Sequence, residues 1–279
     1  MSLPSLDHVG VAGRDLARLA MRYEKLGFQL TPFAQHSGKL TPDGPVQKFG
    51  TGNRCAMLKS GYLELIARVD PAAPANSLDL FLKRYAGIHI VAFAVEDEEL
   101  ALETLQARGF DISGVAYLER PVDEADPARG IAKFARLPLP ADASPEGRLQ
   151  LIRHLTPELL WREDLLDHPN QAEALEAVVF CVENPDATLA RLSKLTGARP
   201  RAGRLQLRQG GIMVTDEASL GTMFPNAIIP DLPFIAGVIL RTGDEAAAIR
   251  DIAHDKGENA IGGFCVHADH AGGASLLFR

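Results

Sequence analysis

The pattern of apolar and polar positions repeats itself early in the chain. Residues 6–28 read LDHVGVAGRDLARLAMRYEKLGF, and residues 87–110 read GIHIVAFAVEDEELALETLQARGF. In each copy an alternating run gives way to a polar turn, a stretch of helical period and then Gly-Phe. Gly27 lies nineteen residues after His8, and Gly109 lies twenty after His89. A repeat of this kind decides the architecture before any other signal. In the first copy, His8, Gly10 and Ala12 alternate with Asp7, Val9 and Val11, which predicts a strand. Asp15 suits a helix N-cap, Lys25 ends the helical stretch, and Gly27 suits the C-terminal stop.

The rest of the first unit reads as strands at 28–33, 53–58 and 62–67, with a Gly/Pro-rich loop over 34–52. The second unit repeats the order, with a strand at 88–95, a helix at 98–107 and strands at 112–118, 131–137 and 148–154. Thr156 followed by Pro157 then predicts a connector helix that stops before Pro169, with Trp161 as its packing anchor. A third unit begins near Leu175 and reaches its glycine at Gly197; the fourth, ending its helix near Gly257, is trimmed. Counting back from those glycines lands on Ala177 or Val178, and on Gly237 or Val238. None of these binds a metal. The repeat therefore runs through the chain while the histidine does not. The expected fold class is α+β, with four tandem βαβββ modules forming cupped mixed sheets in two pseudo-symmetric halves. The division is a functional pair of modules at 1–155, a connector at 156–172 and a degenerate pair at 173–279.

Composition narrows the function. At 279 residues and 46% hydrophobic content the chain can bury a large core or two ordinary ones. A net charge of −7 and no long basic run argue against a nucleic-acid partner. No apolar run reaches the length of a membrane span, and none at the N-terminus reads as a signal peptide. Three widely spaced cysteines, Cys55, Cys181 and Cys265, form no disulfide framework and no zinc motif. Together these lead to an expectation of a cytoplasmic protein, monomer or homodimer, acting on a small molecule.

His8 and His89, on two matched strands, are the leading site candidates. Glu64 lies inside the apolar run YLELIA, where a buried carboxylate needs a metal, an Arg such as Arg54, or a wet cavity. Gln150 and His154 are four apart in a strand and share a face. The stretch GTGN at 50–53 lacks the Lys and helix of a phosphate loop, though Asn53 and Arg54 follow it into a strand. His36 reads as a loop residue near Gly38, Pro42, Gly44 and Pro45, and the His267/His270 pair as structural or exposed.

The βαβββ grammar resembles the vicinal oxygen chelate superfamily, which includes glyoxalase I, extradiol dioxygenases and methylmalonyl-CoA epimerase. The segments GTGNRCAMLKSGYLELIA and IRHLTPELLWREDLLDHPN look more narrowly like the glyoxalase-like domain proteins. The resemblance implies one divalent metal (Zn, Ni, Mn or Fe) held by His8, Glu64 and His89, with Gln150 as a fourth candidate. Gln150 stands where many metal-dependent members have a carboxylate. The resemblance also implies Glu64 or His154 as the proton-moving group, with Asn53, Arg54 and His154 against the substrate. The expected chemistry is of lyase or isomerase type through an enolate-like intermediate. The alternatives are Fe(II) extradiol-type dioxygenation and metal-free binding of a small molecule.

Overall fold

The computed structural model describes residues 1–39, 44–74, 78–123 and 126–279. Four βαβββ units follow one another. The first comprises β1 (Ser5–Gly13), α1 (Leu16–Lys25), β2 (Ala34–Lys39), β3 (Val46–Met57) and β4 (Tyr62–Arg68). A short helix, α2 (Leu78–Arg84), leads to β5 (Gly87–Ala94), α3 (Glu98–Ala107), β6 (Ala116–Pro121), β7 (Ile131–Pro138) and β8 (Arg148–His154). The third unit is β9 (Ala172–Cys181), α4 (Pro185–Thr196), β10 (Pro200–Arg201), β11 (Arg204–Gln206) and β12 (Gly211–Thr215). After α5 (Glu217–Met223) come β13 (Phe234–Thr242), α6 (Ala247–Ile252), β14 (Gly257–Ala260), β15 (Gly263–Val266) and β16 (Ser275–Phe278).

In every unit the first and last strands are parallel neighbours: β1 with β4, β5 with β8, β9 with β12 and β13 with β16. Units then join in pairs through their first strands, β1 antiparallel to β5 and β9 antiparallel to β13. Ile235 of β13 pairs with Ile88 of β5 and continues one sheet into the next. The sequence explains the repeated helix. The carboxylates of Asp15 and Asp97 and the amide oxygen of Asn184 each accept a backbone N–H three residues on, at 3.0, 2.9 and 3.0 Å. Gly27, Gly109 and Gly197 end the helical stretches at φ of 78°, 79° and 79°, where a side chain would be strained.

Alternation then sorts the strands. Val9, Val11, Val91 and Phe93 pack with α1 and α3 in the main core. His8, Ile90 and Gln150 face a cup on the opposite side of the sheet.

The structure differs from the expected elements in three places. Residues 28–33 form no strand, although the Thr31 N–H donates to the Cys55 carbonyl at 2.8 Å. The Gly/Pro-rich stretch instead contains β2 and the first half of β3, which pair as an antiparallel hairpin and carry His36 into the sheet. Pro42 lies outside the described residues. The connector is not one helix but two 3₁₀ turns, Pro157–Leu159 and Glu163–Leu165. Its anchors explain why. Trp161 Nε1 donates to the Leu58 carbonyl at 3.1 Å, while Leu160 and Leu165 are buried against the strands. His168 Nδ1 accepts the Gln29 N–H at 3.0 Å, so its Nε2 carries the proton given to the Met57 carbonyl at 2.7 Å.

Candidate functional site

The cup lies where β1, β4, β5 and β8 meet, closed by β3, β6 and β7. Its cavity volume is about 130 Å³. An apolar cavity of roughly 150 Å³ holds a benzene ring, so the space suits a small molecule. Ile66, Leu78, Phe81, Ile90, Leu118 and Phe134 supply apolar wall, and His8, His36, Asn53, Glu64 and Gln150 supply polar groups.

Strand register decides which residues face inward. Gly10 pairs with Glu64 across β1 and β4, and Ala92 pairs with Gln150 across β5 and β8. Between β1 and β5, His8 pairs with Ala92, Val9 with Val91 and Gly10 with Ile90. The pseudo-twofold therefore relates His8 to Ile90 and Glu64 to Gln150. His89 has a different counterpart, Asp7. Each is the extra residue where the β1–β5 ladder shifts register, Asp7 between Leu6 and His8, His89 opposite the step from Gly10 to Val11. A bulge re-aims the side chain it carries. His89 is fully buried, stacked on Phe81 and Tyr85 with ring centres 5.0 and 4.0 Å away. Its Nε2 bonds the Tyr85 carbonyl at 2.9 Å, and it does not line the cup. Burial pushes its pKa down to about 4, which keeps the ring neutral. The structure thus brings His8, Glu64 and Gln150 together and leaves His89 outside.

Glu64 accepts a hydrogen bond from Asn53 Nδ2 at 2.6 Å and lies 3.4 Å from His36 Nε2. Thr51 Oγ1, 2.9 Å from His36 Nδ1, fixes that ring. Burial alone would raise the Glu64 pKa, but the bonds and charges of His36, His8 and Asn53 outweigh it and bring it down to about 2. Asp7 is held lower still. Desolvation opposes its ionisation, yet His154 and His8 more than compensate. Asp7 Oδ1 is 2.6 Å from His8 Nδ1, and Asp7 Oδ2 is 3.0 Å from His154 Nε2.

The other expected site residues separate. Asn53 is in the cup. Arg54 points away, donating to the Thr31 carbonyl at 2.9 Å and to Glu24 at 2.8 Å. His154 shares the face of Gln150 as alternation requires, but it sits at the strand end, edge-on to Trp161 with ring centres 4.9 Å apart. Its Nε2 bonds the Asp7 carboxylate rather than facing the cup. Sequence reasoning missed Asp7 and the arginines Arg136 and Arg148, and took His36 for a loop residue. The count of nineteen against twenty residues was the available signal, because an odd offset along a strand changes the face.

A glyoxalase-like domain model matches residues 6–196. The chain belongs to the glyoxalase-like domain family. No curated protein matches it in sequence. Among solved structures, a hypothetical protein from Staphylococcus aureus is similar at 14% identity, TM-score 0.69, covering 99% of each chain. A mutant of 4-hydroxymandelate synthase from Streptomyces coelicolor is similar at 12% identity and TM-score 0.53, covering 91% of this chain and 75% of that one. A xylose isomerase-like TIM barrel/4-hydroxyphenylpyruvate dioxygenase fusion protein is similar at 11% identity and TM-score 0.53, over 90% of this chain and 39% of that one. These likenesses are of fold.

The resemblance drawn from the sequence implied a divalent metal held in this cup. The donor set of this family member does not fit one. Of the four ladder positions related by the pseudo-twofold, two hold Ile90 and Gln150. Among the described residues no three His, Cys, Asp or Glu side chains are arranged to hold an ion. Arg136 and Arg148 also line the cup, and their charge opposes a dication.

Proposed function

We propose that this chain is a proton-transfer enzyme of lyase or isomerase type, acting in the cup on a small oxygen-bearing substrate, with His8 as the base. The observation that carries the reading is the 2.6 Å contact between Asp7 and His8 Nδ1. An ionised carboxylate only accepts, so His8 must carry its proton on Nδ1. That leaves the Nε2 lone pair free. A histidine oriented by a buried carboxylate is the arrangement that general-base catalysis uses. His154 donates to the same carboxylate from behind and fixes its rotamer.

Glu64 plays another part. A carboxyl titrating at about 2 is too weak a base for chemistry near neutral pH. It stays ionised, accepts a hydroxyl of the substrate and stabilises the imidazolium formed when His8 takes the proton. Among the described residues the Gln150 Oε1 has no hydrogen-bond partner, and with its amide turned the other way round Gln150 offers an N–H to an enolate-like oxygen.

The test is deuterium exchange in D₂O at carbon next to a carbonyl, followed by proton NMR on neutral and anionic probes such as dihydroxyacetone and 2-oxobutanoate. The wild-type protein is expected to exchange at least one probe, and His8→Gln to lower that rate about 10²- to 10⁴-fold. Asp7→Asn should also lower it, because an amide can donate to His8 Nδ1 and favour the wrong tautomer. Exchange that survives His8→Gln overturns the assignment. Binding without exchange would favour a protein that only sequesters its ligand.

A further inference from the structure

Arg120, Arg136 and Arg148 line the cup; Arg120 donates to the Pro121 carbonyl at 3.3 Å, and the other two stand on the paired strands β7 and β8. Arg148 pairs in register with Ile90, and Arg136 with Ile152, so both extend from the face that carries Gln150. Among the described residues neither makes an ion pair, and the Arg136 Nε is buried with no hydrogen-bond partner. Two other partly buried arginines are matched by carboxylates. Arg191 is bonded to Glu146, and Arg54 to Glu24 at 2.8 Å. The carboxylate that shares the cup, Glu64, is already engaged by Asn53 and His36. Burial lowers the pKa of both guanidinium groups, and the charge of Arg136 lowers Arg148 further, to about 10. Keeping two like charges together away from water is costly unless an anion arrives to offset them.

We propose that Arg136 and Arg148 form an oxyanion subsite, which takes the carboxylate of a small substrate with an apolar body. The planar guanidinium fork matches a carboxylate through two parallel hydrogen bonds. The neighbouring wall suits the body. Arg148 lies over Phe81, its guanidinium carbon 5.2 Å from the ring centre, and Phe134 faces the same cavity. The volume of about 130 Å³ leaves room for one small ring or a short branched chain. The inference names the substrate class of the proposed proton-transfer site and rests on the cup being that site.

Isothermal titration of the full chain with benzoate, benzamide and inorganic phosphate tests it. Benzoate is expected to bind at least tenfold more tightly than benzamide, its neutral isostere. Arg148→Gln and Arg136→Gln should each weaken benzoate by roughly ten- to a hundredfold, the worth of hydrogen bonds to a charged group. Equal affinity for benzoate and benzamide overturns the subsite without any variant. Phosphate binding more tightly than benzoate overturns the choice of carboxylate. His8→Gln separates the two proposals. It should lower exchange about 10²- to 10⁴-fold while benzoate still binds more tightly than benzamide. If benzoate binds normally but no probe exchanges in the wild type, the subsite stands and the proton-transfer reading falls.

Discussion

A single residue of offset separates the site that the sequence suggests from the one that is built. His8 and His89 look equivalent because each follows an apolar start and precedes an alternating run. Their distances to the helix stop differ by one, and one residue in a strand exchanges cup for core. The true counterparts are His8 with Ile90 and Asp7 with His89, both of the latter being bulge residues. His8 stood out through the repeat, and Glu64 and Gln150 through the family resemblance; with Asn53 they line the cup. Asp7 was not legible, since its place depends on a bulge that no periodicity marks. His89 carries a consequence for stability. Its folded pKa of about 4 lies below the unfolded value of 6.5, so the unfolded chain binds the extra proton between them. Its contribution is complete above pH 6.5 and is lost as pH falls towards 4, to an extent of about 3 kcal/mol. Urea titrations across that window should show the loss in the wild type. His89→Phe, which keeps the stack on Phe81 and Tyr85, should flatten the profile by a comparable amount. An unchanged slope would mean that another group governs acid sensitivity.

Elements whose ends carry chemical signals were read well, and those formed by long-range pairing were not. The helices at Leu16–Lys25 and Glu98–Ala107 are bounded by Asp caps and glycine stops, all local features. The β2–β3 hairpin is glycine-rich, and its strand character comes from pairing with β4, a partner that local composition does not reveal. The connector has a helix-start signal at Thr156 and Pro157, yet contacts to Leu58 and Met57 hold it as separate turns. Register also makes a claim about metals that can be checked. If β5 presents Ile90 where β1 presents His8, then Ile90→His supplies the imidazole that the repeat lacks. Zn²⁺ or Mn²⁺ should leave the wild-type melting temperature unmoved. The Ile90→His protein should be stabilised, by roughly 2.7 kcal/mol at a free ion concentration of one hundred times Kd. Stabilisation of the wild type by either ion, removed by EDTA, would show that the donor set was misjudged.

The same module occurs four times, but the two paired sheets use it differently. In the first pair the concave face is left open and lined with polar groups. In the second, the positions matched to the histidine are Ala177, Val178, Gly237 and Val238, all in a buried β9–β13 ladder. The space that would be a second cup is filled by the chain itself. Leu220 of α5 and Phe224 pack with Ala177, Val179, Ala236 and Ile239 in a separate apolar cluster. A side chain at Gly237 would come within 2.2 Å of the Ser275 carbonyl oxygen on β16 and 2.8 Å of the Phe224 ring, which together explain why glycine stands in an otherwise apolar strand. The sequence indicated that this half lacks the matched histidines. It did not show the plug, because Phe224 lies on a segment between repeats with no pattern of its own. The second pair joins the first where Ile235 meets Ile88. Phe224→Ala should then open a dry cavity and cost about 3–5 kcal/mol of folding stability, measured by urea denaturation. Because the two cups have separate linings, benzoate affinity measured well below the new midpoint should stay within about twofold. A loss of stability under about 1 kcal/mol would mean that the aromatic ring is not the plug. A large loss of affinity would mean that packing in the second pair sets the shape of the first cup.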